Sequence, residues 1–193
     1  AGLPWNPQEV NYYTNATSLN YSTSVTTSGN YLYVVSGSGN SLTTFNIINP
    51  STPVQTAYYT NATSLYYPYS VTTSGNYLYV VSYVGKTLTT FNIINPATPV
   101  EVAYYKNTTS LNQPASVTTS GNYLYVASYV GNSLTTFNIT NPATPVQTAY
   151  YTNATSLNTS FSVTTSGNYL YVASQTGNSL TTFNITNPAT PVQ

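Results

Sequence analysis

The sequence predicts an all-β fold assembled from four copies of one unit, and three observations carry that expectation. The first is a period. The residues SVTTSGNYLYV occur four times, starting at Ser24, Ser70, Ser116 and Ser162, always 46 positions apart. LTTFNI keeps the same spacing from Leu42, Leu88, Leu134 and Leu180, as does Asn-Pro-x-x-Pro from Asn49, Asn95, Asn141 and Asn187. The second observation is composition: 36 Thr and 22 Tyr, with Val alternating among them, are strand-favouring residues. The third is punctuation, because short runs are bounded by Gly, Asn and Pro and none reaches helical length.

The second copy shows the order of elements. Tyr69–Thr73 reads as a first strand, and Ser74-Gly75-Asn76 as a tight hairpin whose glycine takes a positive φ. Tyr77–Ser82 is the second strand, and the Gly85 region turns it into the third, Thr87–Ile93. Asn95-Pro96-Ala97-Thr98-Pro99 is a rigid connection, since proline cannot continue a central strand, and Val100–Tyr105 is the fourth. Four antiparallel strands in about 46 residues make one blade of a β-propeller. The chain of 193 residues then forms a single repeat domain: an outer strand at 9–13, followed by repeats at 14–59, 60–105, 106–151 and 152–193.

Two stretches resemble known families. LTTFNIINPSTP, from Leu42, is similar to the LVIVD repeat of bacterial and archaeal surface proteins, and GNYLYVAS, from Gly121, to the YVTN-type surface propeller repeat. The resemblance covers nearly the whole chain and implies a cell-surface β-propeller whose molecular function is generally unassigned. This sequence departs from the pattern by carrying Asn46, Asn49 and their equivalents where those repeats are acidic.

The two ends of the chain complement one another. Tyr12 and Tyr13 align with Tyr58 and Tyr59, so the segment 9–13 is an outer strand without its blade, while the last repeat stops where its own outer strand would start. Val10, Tyr12 and Tyr13 are therefore the candidates for closing the last blade. They can do so within one molecule, giving a four-bladed ring, or in a neighbour, giving a filament. Half of an eight-bladed dimer is a third arrangement.

Composition removes most chemistry. Two Lys and two Glu are the only charged residues, and there is no Asp, Arg, His, Cys or Met. No catalytic residue, cofactor-binding residue or metal ligand is expected, because triads, thiol nucleophiles and ordinary zinc or iron sites need the missing types. Two lysines cannot neutralise a nucleic-acid backbone. No apolar run approaches the roughly 18 residues of a membrane-spanning helix. Glu9 and Glu101 lie two periods apart, on opposite blades of a closed ring, and replace positions that read Gln55 and Gln147, so they are expected to be surface substitutions and not an acid–base pair. Lys86 and Lys106 replace Asn or Thr of other copies.

Asn-x-Ser/Thr sequons occur at Asn15, Asn20, Asn61, Asn107, Asn138, Asn153, Asn158 and Asn184, the number expected by chance from 24 Asn in a chain this rich in Ser and Thr. Asn15, Asn61, Asn107 and Asn153 share one repeat position, in a surface connection, and are the leading glycosylation candidates. Tyr77 and Tyr79 share a strand face and are read as packing between blades; the Tyr58-Tyr59 pair is more exposed, and Tyr67, Tyr69 and Trp5 break the repeat. The sequence alone thus predicts a non-enzymatic extracellular structural protein, a glycosylated surface or filament subunit assembling with itself. An adhesin or lectin-like module binding glycans through Tyr and Asn is the alternative. With almost nothing titrating between about pH 2 and 9, acid denaturation is expected to be weak.

Overall fold

The computed structural model describes residues 7–193, and the repeat folds as its punctuation predicts. The first sheet contains β1 (Ser22–Ser28), β2 (Tyr31–Ser36), β3 (Ser41–Asn46) and β4 (Val54–Thr60). The second contains β5 (Pro68–Ser74), β6 (Tyr77–Ser82), β7 (Thr87–Asn92) and β8 (Val100–Lys106). The third contains β9 (Pro114–Ser120), β10 (Tyr123–Ser128), β11 (Ser133–Asn138) and β12 (Val146–Thr152). The last contains β13 (Ser160–Ser166), β14 (Tyr169–Ser174) and β15 (Ser179–Asn184). Each sheet is an antiparallel meander in sequence order. Gly29, Gly75, Gly121 and Gly167 hold φ near +54° in the first hairpins, where a side chain would be strained.

The sheets are propeller-like in arrangement. The first strands lie side by side, β1 beside β5, β5 beside β9 and β9 beside β13, so they form the inner surface. Consecutive sheets stack through three equivalent cores. The first joins Tyr33, Val35 and Leu42 to Leu65, Val71, Leu78, Val80 and Phe91. Tyr79, Val81 and Leu88 repeat it against the third sheet, and Tyr125, Ala127 and Leu134 against the last. The tyrosines expected to pack between sheets do so. Their hydroxyls escape desolvation by donating to a carbonyl of the next sheet: Tyr33 to Pro96, Tyr79 to Pro142 and Tyr125 to Pro188, at 3.0–3.1 Å.

The ends differ from the expectation. Residues 9–13 form no strand, and Val10 and Tyr12 are exposed. Outside β15, the last sheet has only the bridge Asn184–Val192. Among the described residues, no packing comparable to that between neighbouring inner strands joins β13 to β1. The two end faces accordingly stay open, with Val25 and Leu180 exposed. No helix is long and apolar enough to cross a membrane among the described residues.

Candidate functional site

One end of the inner surface is built from the positions at which the copies disagree. Immediately before each inner strand stands a residue with positive φ: Tyr21, Tyr67, Gln113 and Thr159, at 54–59°. Its carbonyl accepts a backbone hydrogen bond from the residue just after the second strand, so Tyr21 holds Gly37, Tyr67 holds Tyr83, Gln113 holds Tyr129 and Thr159 holds Gln175. Within each inner strand the next position but one, Thr23, Tyr69, Ala115 or Phe161, is skipped by the ladder. A bulge of this kind re-aims its side chain. Backbone strain and a bulge therefore recur in every copy at one place, while the side chains there change.

The structure brings these side chains together. Tyr69 packs on Tyr83 with ring centres 5.3 Å apart, Tyr83 on Tyr129 at 6.3 Å, and Tyr129 on Phe161 at 6.3 Å. Phe161 closes the circuit edge-on against Tyr69 at 6.0 Å, reaching across the third sheet because its own residue there is only Ala115. Tyr67 and Gln175 complete the lining of a cavity of about 430 Å³. Gly37 shows why the first copy contributes no fifth ring, since a Cβ there would stand 3.0 Å from the Tyr67 ring. Burial is the main cause pushing the phenols of Tyr67, Tyr69 and Tyr83 above their ordinary 10.0, with neighbouring phenols adding to it. They stay protonated hydrogen-bond donors well above neutral pH. Uncharged aromatic walls with a few neutral polar groups fit a small neutral ring. Two other clefts, of about 310 and 360 Å³, lie between adjacent hairpins and are lined by equivalent repeated residues such as Gly75, Asn76 and Pro142 or Gly121, Asn122 and Pro188.

Of the repeat-breaking residues singled out in the sequence, Tyr67 and Tyr69 sit in this cavity, while Trp5 lies outside the described residues. Tyr83, Tyr129, Phe161 and Gln175 were missed. The signal was present, since aligning the copies shows Gly, Tyr, Tyr, Gln at one position and Thr, Tyr, Ala, Phe at another, against near identity elsewhere.

Most of the remaining predicted residues have local partners. The Oδ1 atoms of Asn15, Asn61, Asn107 and Asn153 each accept two backbone N–H groups of the following turn, at 2.9–3.2 Å. The Nδ2 of Asn61, Asn107 and Asn153 donates to the phenol of Tyr59, Tyr105 or Tyr151. Asn138 and Asn184 accept from the backbone of Thr140 and Thr186; Asn20 is exposed and Asn158 half-buried. Glu101 is half-buried and accepts from Tyr59, Ser64 and Asn61, so it is a structural acceptor rather than a free surface substitution. Gln147 takes the same role for Tyr105 and Ser110, while Glu9 is exposed. Tyr13 donates to Gln55 and packs edge-on against Phe45 at 5.1 Å, as Tyr59 does against Phe91 at 5.4 Å.

With this geometry in view, the class is clear: the chain is a repeat β-propeller protein. The LVIVD repeat model matches residues 20–61 and 68–107, and the model of the seven-bladed β-propeller lactonases matches residues 98–190. No curated protein matches the sequence. Among solved structures, the periplasmic gluconolactonase of Pseudomonas aeruginosa superposes with a TM-score of 0.74 at 17% identity, over 89% of this chain and 53% of its own. A 6-phosphogluconolactonase-like protein of Bacteroides uniformis gives 0.74 at 16% identity, over 84% and 50%. The computationally designed Ika4 protein gives 0.66 at 10% identity, over 93% and 99%. This chain spans about half the length of the two bacterial structures.

These matches correct the expectation of a non-enzymatic structural or adhesive protein. The lactonase model covers almost half of the chain, and lactonases are among the proteins that share its fold. The absence of Asp, Arg, His and Cys does not by itself exclude a reaction. The aromatic cavity is moreover lined by positions that depart from the repeat.

Proposed function

We propose that the four sheets are four blades of a lactonase-type propeller, and that the aromatic cavity receives a neutral sugar-lactone ring. The observation that carries this reading is the convergence of Tyr69, Tyr83, Tyr129 and Phe161, from three sheets, at one end of the inner surface. The aromatic faces stack on the apolar face of the ring, and Gln175 and the phenols meet its hydroxyls. In hydrolysis, water adds to the lactone carbonyl carbon, the bond from that carbon to the ring oxygen breaks, and the ring oxygen takes the water's proton. Protonated phenols at the cavity supply donors for the carbonyl oxygen as negative charge develops there.

The test is direct. Saturation-transfer NMR with glucono-δ-lactone at about 10 mM reads weak binding, and a pH-stat reads acid release over the buffer blank. Tyr69→Ala with Phe161→Ala should remove most of the saturation transfer, and Tyr83→Phe should slow acid release while leaving transfer intact. No transfer and no acid release above blank would overturn the reading.

An exported location, glycans at the turn of Asn15, Asn61, Asn107 and Asn153, and one repeat domain with boundaries at 14, 60, 106 and 152 belong to the same proposal. The periplasmic neighbour supports export. Intact-mass measurement of native material checks the sugars.

A further inference from the structure

The two end sheets expose the halves of an interface that the molecule already makes three times. In the internal interfaces, Val71, Val117 and Val163 are each 6% exposed, whereas their equivalent Val25 is 58% exposed. Leu42, Leu88 and Leu134 are each 1% exposed, whereas Leu180 is 71% exposed. Around Leu180 on the last sheet lie Tyr171 and Ala173, more open than their buried equivalents; around Val25 on the first lie Leu32 and Val34. One face is the donor half of the repeated core and the other is the acceptor half.

We infer that two copies of this chain join head to tail, the β13–β15 face of each covering the β1–β2 face of the other, and so close one ring. The occupant is a second copy because the two faces differ in shape yet match in register. Internally, Val71, Val117 and Val163 donate their N–H groups to Ser24, Ser70 and Ser116 of the preceding sheet. The fourth such pair is Val25 with Ser162 of the second copy. Tyr171 likewise finds the carbonyl of Pro50, as Tyr125 finds that of Pro188. Asn178 accepts from the N–H of Tyr21, as Asn132 accepts from that of Thr159.

The N-terminal segment fits the same join. Tyr13 sits on Phe45 and Gln55 where Tyr59 sits on Phe91 and Glu101, in the place of an outer strand belonging to a preceding sheet. In the ring that preceding sheet is the last sheet of the second copy, whose outer edge carries only the Asn184–Val192 bridge. Two copies supply the length of one larger chain of this fold, since this chain superposes on about half of each of two such structures.

Analytical ultracentrifugation of the native chain should give twice the 20.8 kDa chain mass. Leu180→Asp and Val25→Asp place an unpaired charge in each join, so each variant alone should weaken association roughly 100-fold and sediment as a single chain. Their circular dichroism should stay native, because both positions are exposed in the single chain. An equimolar mixture should recover the dimer, through the one join in which both faces are intact. A native chain that remains monomeric denies the join, a polymer of undefined length denies the closure, and variants that stay dimeric deny these faces. None of these readouts depends on lactone binding.

Discussion

Leu134 and Leu180 occupy the same position in the same six-residue string, yet one is 1% exposed and the other 71%. Strand and pairing with the second strand are the same for both: Leu134 faces Ala127 and Leu180 faces Ala173. What differs is the sheet stacked on top, together with the outer strand: Leu134 pairs with Tyr151, and β15 has no such strand beside it among the described residues. Leu134 meets the Leu157, Val163 and Leu170 cluster, and Leu180 meets solvent. Secondary structure in this protein is thus settled within a repeat, and burial is settled between repeats. The stability of an internal sheet belongs largely to its neighbours, as in other repeat architectures.

The largest expected effect breaks that comparison by mutation. Leu134→Ala should destabilise the fold by about 2–5 kcal/mol, from lost burial and the cavity left behind. Leu180→Ala, made in the Val25→Asp background that holds the chain monomeric, should change stability by less than about 0.5 kcal/mol. Urea melts of both variants measure the difference, and equal costs would show that stacking does not decide it.

Alkaline pH sharpens the same contrast through the stacked tyrosines. Burial, reinforced by the charge of a neighbouring phenol, pushes Tyr33 and Tyr125 up to about 12 and Tyr79 higher still. The folded chain then holds protons that the unfolded chain releases near 10. Their contribution is fully present below pH 10 and is lost as pH rises through the folded values. Stability should be flat to about pH 9.5 and then fall, each tyrosine adding up to ~1.4 kcal/mol per pH unit. Denaturant midpoints between pH 8 and 12 test it, and a midpoint that stays level would exclude the burial of these phenols.

A smaller effect separates the turns. Asn40, Asn132 and Asn178 hold φ of 47–48° before the third strand, a conformation Asn tolerates, whereas Lys86 holds 55° there. Asn40 and Asn132 also accept the N–H groups of Tyr67 and Thr159, which a lysine cannot do. Lys86→Asn should therefore stabilise the chain by about 1 kcal/mol, seen as a rise in Tm.

The site shows how far inspection of one copy can reach. Tyr67 and Tyr69 are visible as departures from the repeat, but nothing in their own copy says that Tyr69 faces Phe161, 92 positions away. That meeting requires the bulge at Tyr69, the same bulge two sheets on, and the small Ala115 between them. The glycosylation candidates show the opposite case. Their sequon is legible in the sequence, yet the Asn side chains already serve the turn that follows them.

By itself the sequence determined the period, the four-strand meander, the hairpin glycines, the proline connections and the tyrosines buried between sheets. These follow from local propensity and from hydrogen bonding within about 46 residues, which every copy repeats. Only the tertiary structure decided that the ring stays open in one chain, that identical leucines end in opposite environments, and that the divergent positions converge on one aromatic cavity. Those outcomes depend on contacts between sheets, through the side chains packed there, and no single repeat contains both halves of such a contact.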